Sequence, residues 1–167
     1  MKKLYYNVIV EKAINISSEN LQKFIHDVLT DKRGWVGYSF ININYPKKIN
    51  KITNFSIIMS KPENIVKNCG NALYGLSCTN TKTKIIYLNS NRYIRGAKKS
   101  QLSLVDYRIY LINHEVGHIL GKGHTKCPCD KKCDKKVPVM NQATRGIGHC
   151  KPNPYPTTFD NNMKSTL

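Results

Sequence analysis

The run His114-Glu115-Val116-Gly117-His118-Ile119-Leu120-Gly121-Lys122-Gly123-His124 decides how this chain is read. Residues four apart on an α-helix share a face, with Cβ atoms about 6 Å apart, so His114 and His118 aim two imidazoles at one point. Such convergence suits a metal ion. Glu115, one residue past the first His, can reach a metal-held water without being a ligand itself, which makes it the candidate general base. Gly121 can adopt the left-handed conformation that ends a helix, and the reversed chain then returns His124 as a third ligand. Three His ligands leave one tetrahedral position for water, the arrangement of a catalytic rather than a structural zinc site. The five residues H-E-x-x-H alone arise by chance on ordinary helix surfaces. The added Gly and His at fixed offsets make the longer pattern specific. The downstream acids Asp130, Asp134 and Asp160 are the competing third ligands, but none sits on an evident second helix that would present it, so His124 is preferred.

The surrounding helix starts at Ser103, whose pairing with Asp106 resembles a capping box, and is expected over residues 104–120. Val105, Ile109, Ile112, Val116 and Ile119 form its expected core stripe, with the histidines on an adjacent one. Upstream, apolar and β-branched runs predict strands at residues 4–10, 38–44 and 55–59, and a hairpin from residues 76–80 and 84–89. Ser17 or Ser18 caps a helix to residue 29 that buries Leu21, Phe24, Ile25, Val28 and Leu29 and leaves His26 on the surface. Trp35, after a turn, is a core anchor. Pro62 opens a short helix ending near Gly70, residues 92–101 read as a basic loop, and everything after Lys122 is mostly irregular. These elements predict one α+β domain over residues 1–167: a small mixed sheet, an active-site helix and an irregular C-terminal part.

Among 167 residues, 27 are basic and 10 acidic, a formal charge of +17. That balance attracts polyanions, but the lysines are spread along the chain. No aromatic platform or basic recognition helix accompanies them, so nucleic-acid contact rests on net charge alone. Asn7 and Glu11 interrupt the N-terminal apolar run before it reaches signal-peptide length, and no membrane segment is expected. Six cysteines suit an oxidising compartment or a particle instead, which leaves localisation open, as it does oligomeric state.

The stretch from His114 to His124, followed by Pro138-Val139-Met140, resembles the metzincin clan of zinc endopeptidases, in which a methionine-containing turn lies beneath the metal. Met140 would be that residue, a packing platform in either reading. Arg33-Gly34-Trp35, Cys69, Cys78, Asn113 to His124, Cys127-Pro128, Pro138-Val139-Met140, Cys150 and Asn153-Pro154 are similar, more narrowly, to landmarks of an uncharacterised, mainly actinobacterial metzincin-like domain family, spanning residues 34–156. The resemblance implies a zinc-dependent peptidase acting on a peptide or protein of unknown identity, but supplies no substrate. Those relatives are typically exported or membrane-anchored, and Cys129 and Cys133 are additions to the pattern. Many metzincins bind substrate as an added strand on a sheet edge, for which residues 84–89 are the candidate.

Six cysteines allow fifteen pairings. Proximity favours Cys69 with Cys78 and Cys127 with Cys150, leaving Cys129 to Cys133. Alternatively Cys127, Cys129 and Cys133, helped by Cys150 or His149, form a second, structural zinc site, although C-x-C-x-x-x-C is not a common zinc-ribbon spacing. The expected function is peptide hydrolysis by a metal-activated water with Glu115 as base. A zinc-containing binding or structural protein is the alternative, against which Glu115 argues.

Overall fold

A computed structural model describes residues 1–165. Five strands form one mixed sheet: β1 (Lys2–Val10), β2 (Tyr38–Asn42), β3 (Phe55–Ser60), β4 (Cys78–Asn80) and β5 (Ile85–Asn89), in the order β2-β1-β3-β5-β4. The first four in that order run parallel, and β4 pairs antiparallel to β5, Cys78 opposite Tyr87.

Side-chain alternation explains the layers. Leu4, Tyr6 and Val8 of β1, Phe55, Ile57 and Met59 of β3, and Ile86 and Leu88 of β5 all face one core. Ile58, Ile85 and Tyr87 face the other way, where α2 (Pro62–Cys69) covers them with Ile65. Helix α1 (Ser18–Thr30) closes the larger core with Leu21, Ile25, Val28 and Leu29, and Ser17 caps it by accepting from the Asn20 N–H. His26 is half-buried rather than on the surface, because the ring of Tyr45 packs against it with centroids 5.5 Å apart.

The stretch expected as a basic loop contains a short helix, α3 (Ser90–Arg95), and a 3-10 turn, Lys98–Ser100. Asn89 starts α3 by accepting from the Arg92 N–H, and Gly96, with φ of 72°, ends it. Helix α4 (Leu104–Ile119) is capped by Ser103 as expected, but its core stripe differs. Val105 is 55% exposed, whereas Tyr107, Tyr110 and Leu111 are buried beside Ile112 and Val116. From Tyr110 to Gly117 the helix is enclosed on all sides, so no single apolar stripe describes it.

The sheet's edges are β2 and β4, not residues 84–89. Strand β5 is hydrogen-bonded on one side to β3 and on the other to β4, so it has no free edge to offer a peptide. Beyond α4 the described residues are irregular apart from a 3-10 turn, Ala143–Arg145, and α5 (Thr158–Asn162). Among the described residues no helix is long and apolar enough to cross a membrane.

Cys69 is bonded to Cys78, Cys127 to Cys150, and Cys129 to Cys133. Full reduction in metal-free buffer should lower stability, with the 23-residue Cys127–Cys150 span contributing about 3 kcal/mol by loop-closure entropy. Urea midpoints with and without reductant check this. An unchanged midpoint would show that the bridges restrict nothing in the unfolded chain.

Candidate metal centre

Helix α4 carries His114 and His118 into the sheet-side cleft, and Gly121, at φ of 80°, reverses the chain so that His124 comes back over them. The His124 Nε2 lies 3.3 Å from that of His114 and 3.1 Å from that of His118. Four ligands at 2.0–2.1 Å around a tetrahedral zinc lie about 3.3 Å from one another, so these two spacings are compatible with a metal ion held by the three rings. The other ring nitrogens of His114 and His118 are already occupied. His114 Nδ1 donates to the Val139 carbonyl at 2.8 Å and His118 Nδ1 to that of Lys122 at 2.9 Å. In the neutral rings this turns both Nε2 lone pairs toward the shared point, where a cation relieves their repulsion.

Burial, and then the charges of His118 and His124, push the His114 pKa down to about 3. Burial and His124 lower that of His118 to about 4. Burial and the nearby Arg145 guanidinium lower that of His124 as well. All three shifts favour the neutral imidazole, the form that ligates. None of Asp130, Asp134 and Asp160 joins the cluster: Asp130 is exposed, Asp134 pairs with Lys151 at 2.6 Å, and Asp160 is buried elsewhere.

Glu115 is buried beside this point, and burial pushes its pKa up to about 7 against the lowering effect of a hydrogen bond from Thr79. The Thr79 Oγ1 donates to Glu115 Oε2 at 2.6 Å, which joins the carboxylate to edge strand β4. A cleft of about 240 Å³ opens over these groups, lined by Ser77, Thr79 and Thr81 on one side and by Gln142, Thr144 and Arg145 on the other.

The floor is built around a turn at residues 138–141, closed by the Asn141 N–H donating to the Pro138 carbonyl at 3.0 Å. Met140 is fully buried, and a Cβ on Gly117 would lie 2.2 Å from its Sδ and 2.8 Å from Trp35 Cζ2. Glycine costs a helix about 1 kcal/mol relative to Ala, and here its absent side chain is the space that the Met and Trp occupy. Trp35 also donates from Nε1 to the Asn113 carbonyl at 3.2 Å.

Three supports escaped the sequence reading. The Tyr110 hydroxyl donates to the Asn141 carbonyl at 3.0 Å and accepts from the Ala143 N–H at 2.9 Å. Asp160 accepts from the N–H groups of Val139, Met140 and Thr157 and from the Thr157 hydroxyl, at 2.6–3.1 Å. Lys122, itself buried, donates from Nζ to the carbonyls of Asn161 and Met163 at the end of α5. The Thr157 to Asp160 spacing of a capping box was the one local signal for α5.

A family model, DUF3152 (Protein of unknown function), matches residues 1–163. No curated protein matches the chain.

Proposed function

The chain belongs to the DUF3152 family, and we propose that it is a zinc-dependent endopeptidase of metzincin type. The observation that carries the reading is the convergence of three Nε2 atoms, that of His124 3.3 Å from that of His114 and 3.1 Å from that of His118, with a buried carboxylate beside them. His114, His118 and His124 would hold the ion. A zinc there supplies a Lewis acid that polarises a peptide carbonyl and acidifies a water.

The chain's own groups do the rest. Glu115, held by Thr79 and with its proton affinity raised by burial, takes the proton of the attacking water and passes it to the leaving amine. The Val139 and Lys122 carbonyls fix the tautomers of His114 and His118. Met140, pressed into the space left by Gly117, holds the turn that carries the Val139 carbonyl, which is the part a Met-turn would play. Strand β4 borders the cleft with its outer edge unpaired, and a peptide laid along it as a sixth strand would bring a carbonyl toward the histidines.

Purified protein should contain about one zinc per chain by the ligand count of such sites. His118→Ala should lose most of that metal and all casein hydrolysis, while its circular dichroism stays native. A variant that keeps both metal and activity would end this reading.

A further inference from the structure

From Lys126 to Lys136 every residue except the three cysteines is exposed, so this segment has no apolar core of its own. Backbone bonds tie it to the turn at residues 148–151, with the Cys133 N–H on the His149 carbonyl and the Lys151 N–H on the Lys135 carbonyl. Asp134 pairs with Lys151 as well, and the buried part of the segment is sulfur. The Sγ atoms of Cys127, Cys129, Cys133 and Cys150 all lie within 4.8 Å of one another, and Cys129 Sγ is 3.9 Å from Cys150 Sγ across the gap between two different disulfides. Gly148 permits this grouping, because a Cβ there would press on Cys127 Cβ at 3.1 Å.

Independent crosslinks have no need to meet. Four cysteine sulfurs around zinc, at bonds of about 2.3 Å, lie about 3.8 Å apart, close to the spacing already present between the two bridges. We propose that Cys127, Cys129, Cys133 and Cys150 are a convertible site, two disulfides when oxidised and a tetrathiolate holding one zinc ion when reduced. Two molecules of a dithiol reduce the two bridges, each leaving as its own cyclic disulfide, to give four thiols. Zinc then displaces four protons, and the bound group carries a charge of two minus. In the chain Lys126, Lys131, Lys132, Lys135, Lys136 and Lys151 flank these cysteines, against Asp130 and Asp134, a balance of charge that favours thiolate over thiol.

Either state holds the segment that leaves His124 toward Cys127, so the metal centre keeps its third ligand in both. The proposal does not depend on the peptidase reading, and the test is run in His118→Ala to separate them.

That variant is reduced with dithiothreitol in the presence of zinc chloride, desalted without oxygen, and assayed for metal and for thiols under native conditions. It should gain about one zinc per chain relative to its oxidised form. Of the six thiols, those of Cys69 and Cys78 should titrate while four stay protected until a chelator is added. Cobalt in place of zinc should give sulfur-to-metal charge-transfer absorption. Adding Cys129→Ser and Cys133→Ser should abolish the gain, and adding Cys69→Ser and Cys78→Ser should not. Six reactive thiols with no added metal, equal losses in the two cysteine variants, or a reduced chain that unfolds despite zinc would each overturn the proposal.

Discussion

Glu115→Gln should keep about one zinc per chain and lose casein hydrolysis by roughly a hundred- to ten-thousand-fold, the usual contribution of a positioned general base. The change is nearly isosteric. A glutamine oxygen can still accept from Thr79 Oγ1, now 2.6 Å from Glu115 Oε2, so the helix and the histidines have no reason to move. What disappears is the ability to take a proton. Burial raises the Glu115 pKa, which strengthens the carboxylate as an acceptor for the proton of a water. Parallel metal analysis and hydrolysis assays on wild type and variant check both halves. Equal hydrolysis by the two proteins would assign the activity to a contaminant and remove Glu115 from its role.

The second large effect is on stability. Asp160→Ala should cost about 3–5 kcal/mol, because the buried N–H groups of Val139 and Met140 each lose their acceptor at about 1–3 kcal/mol, and α5 loses its capping box. That is a large part of the ~5–15 kcal/mol by which a domain of this size is stable. Zinc should be lost with it. The Val139 carbonyl orients His114, and its peptide group is no longer pinned once the adjoining N–H is free. Urea denaturation followed by metal analysis reads both, and a loss below about 1 kcal/mol, a typical single hydrogen bond, would show that the turn stands without the carboxylate.

The strands were legible because alternation is local: Leu4, Tyr6 and Val8 turn inward one after another, and the sheet needs only that pattern. Which strand lies at the edge is not local, since it depends on whether β4 adds outside β5, and the residues of β5 read alike in either arrangement. The histidine run was legible because its spacing is set by helix geometry and one glycine. Its supports were hidden for a chemical reason. Asp160 is buried through hydrogen bonds rather than apolar contact, and Tyr110 adds to its packing a hydroxyl bonded to Asn141 and Ala143, so hydrophobic periodicity gives no weight to either set of bonds. The same bias put Val105 in the core stripe and left Tyr107 and Tyr110 out of it. The bridge between Cys129 and Cys133 was reached only by elimination, after the other two pairs had been assigned.

The carboxylate that fastens the turn comes 36 positions after the last histidine of the cluster in the chain. A ribosome that has just released His124 has therefore made every ligand but none of the clasp that aligns them. Until α5 emerges, Val139 and Met140 lack their acceptor and Lys122 has no helix end to grip. The three histidines are thus synthesised early and their alignment is completed late, which gives the nascent polypeptide an interval in which it carries the cluster without its final geometry.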